Sequence, residues 1–272
     1  MGTVAGTKVD SVAPPSEGQL ARAIDRWIYV FMAAWFIVIA LAGFLPDSAT
    51  KIGLVDAGKR APFPIILHLH AVLMGSFLLL LLAQTTLVAT GRRAFHRQLG
   101  LAGAVLAPAV LVVGFILVPT MYHLISDNVA SAPPAAQGGM RQTLRALDNT
   151  LLLQVRGGVL FAIFVGAALA VRKSNSGLHK RLMFIGVASV LGAAFNRMPW
   201  LPNTMPGSPL SVDLYIVLAV MPMFVWDVIR TRKIHAAYLI WAAIGLPAAI
   251  AVNALWNADG WHSTAQHLLG AG

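Results

Sequence analysis

Seven apolar stretches, each about as long as a membrane-spanning helix, constrain this chain more than any other feature of its sequence. Crossing a hydrocarbon core of roughly 30 Å takes about 20 helical residues. A backbone inside a bilayer has to satisfy its own hydrogen bonds, so stretches of this kind are predicted to be helices. The predicted spans cover residues 27–45, 64–90, 99–124, 151–171, 179–198, 212–228 and 234–256.

The scarcity of charge supports the same class of protein. Only 11% of the 272 residues are charged, against about a quarter in an average soluble domain, and the mean hydropathy is +0.74. Thirty charged side chains cannot cover a 28.9 kDa soluble particle. An ordinary soluble enzyme and a nucleic-acid-binding module are therefore excluded, and no nucleic-acid partner is expected. The absence of cysteine excludes disulfides and thiolate metal sites. The expected fold is an all-α, polytopic bundle of seven transmembrane helices in contact with the lipid bilayer.

The distribution of lysine and arginine predicts the orientation of the bundle. Thirteen of the 20 basic residues fall in the amino-terminal segment and in the loops after spans two, four and six. By the positive-inside rule this side is cytoplasmic. Because the number of spans is odd, the amino terminus is expected in the cytoplasm and the carboxyl terminus in the periplasm. The expected location is the inner membrane of a bacterium. The thirteen residues are Lys8, Arg22, Arg26, Arg92, Arg93, Arg97, Arg172, Lys173, Lys180, Arg181, Arg230, Arg232 and Lys233.

Three regions follow from these spans. Residues 1–26 are expected to form a cytoplasmic tail, in which the capping-box spacing from Ser16 to Gln19 predicts a short interfacial helix. Residues 27–256 form the transmembrane domain, and residues 257–272 a periplasmic tail. The loop 126–150 becomes amphipathic from Arg141 to Leu147, which predicts a surface helix or lid on the outer face.

A repeated motif indicates that two helical hairpins, 64–124 and 151–198, form the core. A basic pair precedes His96-Arg97-Gln98-Leu99, and another basic pair precedes His179-Lys180-Arg181-Leu182. Each motif opens the second helix of its hairpin, as in the internal duplications common among membrane folds.

The eight histidines divide into three groups by predicted position. His96, His179 and His235 begin helices on the inner side, where we expect them to act as caps. His262 and His267 belong to the outer tail and are expected to be solvated. The remaining three histidines lie near the outer ends of spans two and three. They are His68, His70 and His123.

A polar site near the outer leaflet is the most specific prediction. His70 lies six residues into span two, roughly 9 Å below its start, and ionisable groups at such a depth usually mark a functional site. His68 lies two positions earlier and so points to the other side of the helix. The other polar residues predicted at this level are His123, Arg156, Asn196, Arg197, Asp213 and Asn253.

The first hypothesis for this site is a b-type haem in a redox membrane protein. His70 and His123 would be the axial ligands, while Arg156 and Arg197 would neutralise the propionates. A second haem between His96 and His179 on the inner side is a further alternative. However, His96 and His123 are 27 residues apart, about 40 Å of helix, which argues against a stack of two buried haems.

Other readings of the same residues stay open. His68, His70 and His123 could hold a metal ion, since imidazole suits zinc, iron or copper. Arg156 and Arg197 could bind a small anion or a lipid headgroup without any cofactor. A purely structural reading pairs Arg156 with Asp213 and makes the protein a scaffold or assembly subunit, with a second copy or a membrane-complex component as its partner.

The motifs also carry a resemblance to known proteins over about residues 60–200. The His-x-His helix opening at His68, the string from Phe95 to Gly100, and His179 to Met183 with Asn196-Arg197 resemble a group of bacterial integral membrane proteins of unknown function. The hairpin plan is also similar to the transmembrane cores of cytochrome b561 and the ferric reductases. That second resemblance implies haem held between helices by paired histidines, although span four has no histidine here.

Overall fold

The protein is a bundle of α-helices. The computed structural model describes residues 17–130 and 133–270, and these ranges contain no β-strand. The helices are α1 (Glu17–Asp56), α2 (Ile65–Ala89), α3 (Arg93–Ala130), α4 (Pro134–Val171), α5 (Ser176–Ala188), α6 (Gly192–Phe195), α7 (Leu210–Thr231), α8 (Ala236–Leu255) and α9 (Asp259–Leu268).

Seven segments are long and apolar enough to cross a bilayer, as the sequence predicts. Six of them lie on α1, α2, α3, α4, α7 and α8, and the seventh runs from Ser176 to Phe195 through α5 and α6. The protein is therefore a multi-pass membrane protein.

The helix boundaries differ from the predicted ones at both ends of several spans. No separate interfacial helix precedes the first span, because α1 continues without a break from Glu17 to Asp56. The sequence between Leu20 and Trp27 has no proline or glycine to interrupt it. The amphipathic segment 141–147 is likewise a continuous part of α4, which begins at Pro134, rather than an independent surface helix. The predicted tail before Glu17 lies outside the described residues.

The fifth span is not one regular helix. After Ala188 the backbone changes to short-range bonds, with Val190 N–H donating to the Val187 carbonyl and Leu191 N–H to the Ala188 carbonyl. The Ser189 hydroxyl donates to the Ile185 carbonyl at 3.0 Å, which competes with regular helix bonding. The single turn of α6 follows, so this span reaches the opposite side in two pieces.

The core of the bundle lies around α5. Phe164, Phe184, Ile185 and Val187 are almost fully buried, and Phe36 of α1 packs edge-on against Phe184 at 5.6 Å between ring centroids. The most extensive helix pairs are α2 with α3 and α4 with α5, which correspond to the two hairpins of the sequence repeat.

Large apolar side chains cover the outside of the bundle. Leu79, Val105 and Ile250 are each more than 60% exposed, as expected for surfaces that face lipid rather than water.

The connections rich in arginine and lysine all lie at one end. Arg26 of α1 donates to the carbonyl of Ala89 at the end of α2, and Arg230 of α7 pairs with Asp25. We call this the basic end. The opposite end carries the segments 57–64 and 196–209 and the helix α9.

Candidate functional site

The polar residues predicted at the outer level occupy separate places in the bundle. His70 of α2 packs against Gly114 of α3, where an added Cβ would lie 3.3 Å from the imidazole Cε1. Its Nδ1 is buried and has no hydrogen-bond partner among the described residues. His68 is exposed, and its ring lies edge-on to Phe63 at 6.2 Å. The two histidines thus point to different sides of α2, as their spacing predicts.

The structure does not bring His123 to His70. His70 contacts α3 at Gly114, and His123 follows nine residues later, about 13 Å further along the helix and on its opposite face. The His123 side chain is exposed. The imidazoles of His70 and His123 therefore do not face each other across α3, and His68, His70 and His123 do not form one cluster. Among the described residues there is no group of three or more histidine, aspartate or glutamate side chains placed to hold a metal.

Arg156 of α4 forms a buried ion pair with Asp213 of α7. Its Nη2 lies 2.5 Å from the carboxylate, and its side chain is only 8% exposed. Asn253 of α8 donates to the same carboxylate at 3.2 Å. Gly158, two positions along α4, faces Phe115 of α3. Arg156 therefore points away from α3 and from His70, since residues two apart lie on opposite sides of a helix.

Arg197 lies in a third place. Its Nε is 3.3 Å from the carboxylate of Asp47, and its guanidinium lies 4.7 Å above the ring of Phe44 on α1. Arg156 and Arg197 are therefore each paired with a different aspartate. Both positive charges are compensated, although Nη1 of Arg156 is buried without a hydrogen-bond partner among the described residues.

Two histidines from different hairpins lie at the basic end. His96 lies in the first turn of α3 and His179 in the first turn of α5. The side chain of Asn175 caps α5 by accepting from the Leu178 N–H at 2.9 Å, which fixes the start of that helix. His96 and His179 are close enough for the charge of one to act on the other. These are the two histidines that open the repeated sequence motif.

The hydrogen bonding of His179 leaves one ring nitrogen available. Its Nδ1 lies 2.8 Å from the backbone carbonyl of Ala168 on α4. A carbonyl oxygen only accepts, so Nδ1 carries the proton and donates. In the neutral imidazole, Nε2 then has a free lone pair. This arrangement, with one nitrogen oriented by a backbone carbonyl, is the usual second contact of a metal-ligating histidine.

His96 and a neighbouring glutamine each have a buried polar atom without a hydrogen-bond partner. The Nδ1 of His96 and the Oε1 of Gln84 on α2 are both buried and lack a hydrogen-bond partner among the described residues, although the backbone of Gln84 lies beside the His96 ring. Leaving such groups unpaired inside a protein costs about 1–3 kcal/mol each. Two cationic side chains flank the pair, since Arg97 acts electrostatically on His96 and Arg172 on His179. Two imidazoles at the same end of the bundle, with nearby cations, suit a b-type haem and its propionates.

The expectation that His262 is solvated is wrong. The residue lies on α9 and is 5% exposed, and its Nδ1 is 3.0 Å from the carboxylate of Asp148. Asp148 is fully buried and also accepts from the Tyr122 hydroxyl at 2.6 Å. The indole N–H of Trp261 donates to the Asp148 backbone carbonyl. Polar pairing of this kind docks α9 onto α4 through residues that lie more than 110 positions apart in the sequence.

Asp227 pairs with an arginine that lies 46 residues away in the sequence. It accepts two bonds from Arg181 of α5, at 2.7 and 2.5 Å, and one from the hydroxyl of Tyr238 on α8. Arg230, the local candidate, pairs with Asp25 instead.

His235 caps a helix, as predicted. Its Nδ1 accepts from the Ala237 N–H at 3.1 Å at the start of α8. Burial lowers the pKa of His235, and the positive charge of Arg181 lowers it further. The neutral ring that this cap requires is therefore the favoured form at neutral pH.

Comparison with protein-family models, with curated proteins and with solved structures finds no match to this chain. The function has to be inferred from the geometry of the bundle itself.

Proposed function

We propose that this protein is a membrane electron carrier that binds one b-type haem between His96 and His179. The observation that carries the proposal is that two helix-opening histidines lie at the same end of the bundle, each with a ring nitrogen for which the described residues provide no hydrogen bond. The site lies at the basic end rather than at the outer level, where the sequence alone points to His70 and His123.

The protein's own groups have distinct roles in this proposal. The Ala168 carbonyl holds the His179 ring in one tautomer and directs Nε2 away from α4. His96 offers the second imidazole from α3. The guanidiniums of Arg97 and Arg172 balance the two propionate charges, which would otherwise be costly at the edge of the bilayer. When bound, haem supplies a one-electron couple between ferrous and ferric iron.

The proposal includes an orientation. The basic end faces the cytoplasm and α9 faces the periplasm, in the inner membrane of a bacterium. The support is the concentration of 13 of the 20 lysines and arginines in the segments at the basic end, including the segment before α1.

The test is an optical spectrum of the protein purified in detergent from cells supplied with a haem precursor. We expect a Soret band and a reduced-minus-oxidised difference spectrum typical of two imidazole ligands, with about one haem per chain. His96→Ala and His179→Ala should each lose most of the bound haem. His123→Ala removes an exposed imidazole and is the matched control, so it should keep the wild-type haem content.

Two results would overturn the proposal. One is a wild-type protein without a Soret band. The other is a loss of haem in His70→Ala while His96→Ala and His179→Ala keep it, which would move the site to the opposite half of the bundle. Thermal unfolding of each variant shows whether a loss of haem reflects a loss of folding.

A further inference from the structure

An open groove lies on the surface of the bundle at the basic end, between the end of α2 and the start of α3. Its volume is about 510 Å³, within the range of small-molecule binding sites. Four of its lining residues are apolar and two are polar. The lining residues are Leu87, Arg92, Phe95, Gln98, Leu99 and Ala102.

The groove has the length of one bilayer leaflet. Arg92 lies at the connection between the two helices, and Ala102 is ten residues further along α3, about 15 Å deeper. Half of a hydrocarbon core of roughly 30 Å is the same distance. Phe95 is 62% exposed and Leu99 37% exposed, so the apolar wall is open to a neighbouring molecule over this depth.

The charge at the mouth of the groove is not compensated by the protein. Arg92 and Arg93 are exposed and have no ion-pair partner among the described residues. The sequence from 57 to 126, which includes all of α2 and most of α3, contains no aspartate or glutamate. Elsewhere at the basic end, Arg181 and Arg230 each pair with an aspartate. The positive charge at the groove is therefore left for an external anion.

We propose that the groove binds an anionic phospholipid, with one acyl chain along Phe95, Leu99 and Ala102 and the phosphate on Arg92. Basic pockets beside transmembrane helices on the cytoplasmic side are suited to such headgroups. The apolar wall fits a chain and the arginine fits a phosphate, which it can bind through two donors. This site is separate from the haem site and does not depend on haem binding.

Native mass spectrometry of the full chain in detergent tests the proposal by titration with phosphatidylglycerol and, separately, with phosphatidylcholine. We expect one tightly bound phosphatidylglycerol and weaker binding of phosphatidylcholine. Arg92→Gln should weaken phosphatidylglycerol binding about fivefold, since one arginine near the surface contributes about that factor. Ala102→Trp fills the groove while keeping the arginine, and it should abolish the tight binding.

Lys173→Gln is the matched control, because Lys173 is an exposed cation at the same end but outside the groove. It should leave the affinity unchanged. The proposal is overturned if Lys173→Gln weakens binding as much as Arg92→Gln does, or if Ala102→Trp binds the lipid normally. Equal binding of the two lipids would also overturn it. Wild-type melting temperatures in phosphatidylcholine confirm that the variants are folded.

Discussion

Individual charged residues inside this bundle are kept there by partners on other helices. Arg181 and Asp227 form a two-point pair in which both side chains are about 10% exposed, and Tyr238 adds a third bond to the carboxylate. Desolvating two charges is expensive, so such a pair is tolerated only when its geometry satisfies both groups. The pair connects α5, α7 and α8 at the basic end.

At this scale we predict that Asp227→Asn lowers the free energy of unfolding by about 3 kcal/mol, because it leaves the Arg181 charge buried without a counterion. The measurement is thermal or denaturant unfolding in detergent. Asp25→Asn is the matched control, since the Asp25–Arg230 pair is 37% and 49% exposed and such pairs contribute about 1 kcal/mol or less. The double variant Arg181→Met with Asp227→Leu should recover most of the stability. Equal losses in the two single variants would show that burial of the pair is not the cause.

Helices in this bundle pack closely only where small residues allow it. Gly43 of α1 faces the single turn α6, and an added Cβ would lie 2.8 Å from the carbonyl carbon and the Cα of Ala194. Backbone atoms cannot move aside as a flexible side chain can. The contact matters because α6 completes the fifth span after the break at Ser189 and leads into the segment 196–209.

At the level of elements we predict that Gly43→Ala destabilises the protein by about 1–3 kcal/mol by forcing α1 and α6 apart. Gly53→Ala is the internal comparison, because Gly53 lies on the same helix with nothing within 4 Å of its Cβ position. That change should stabilise the protein by up to about 1 kcal/mol, since alanine favours the helix. Melting temperatures of both variants measured in one detergent decide the point, and a Gly43→Ala protein as stable as wild type would contradict the prediction.

For the molecule as a whole, the uneven distribution of basic residues predicts which end faces the cytoplasm. The natural chain contains no cysteine, so single introduced cysteines report on topology without any background. Lys59 and Ser263 are exposed at the end that carries α9, while Lys173 and Arg232 are exposed at the basic end.

We predict that Lys59→Cys and Ser263→Cys react with a membrane-impermeant maleimide in intact spheroplasts. Lys173→Cys and Arg232→Cys should react only in inverted vesicles, because the positive-inside rule places that end in the cytoplasm. Labelling after detergent solubilisation is the control for intrinsic reactivity. The reverse pattern would invert the bundle and place the proposed haem site of His96 and His179 at the periplasmic face.

The sequence by itself determined the class of the protein and the positions of its spans. All seven predicted stretches overlap helical segments of the bundle. The stretches 64–90, 179–198 and 234–256 extend one to three residues past the helix ends, and the fifth breaks into two short helices. The spans can be predicted from the sequence because the length and hydrophobicity of a segment depend only on its own residues. Every helix that crosses a bilayer has to meet the same requirements of length and hydrophobicity. The cap at His235 follows equally from local sequence.

Only the tertiary structure decided which polar groups meet. Arg156 and His70 lie in the same predicted layer but face different neighbours, because the rotation of each helix about its axis is set by its packing partners. Asp227 bonds to Arg181, which is 46 residues away, instead of Arg230. His262 is buried by a helix that folds back onto α4. Contacts such as these depend on which face of each helix is turned inward. When a span has apolar residues on all sides, its sequence does not specify which face that is.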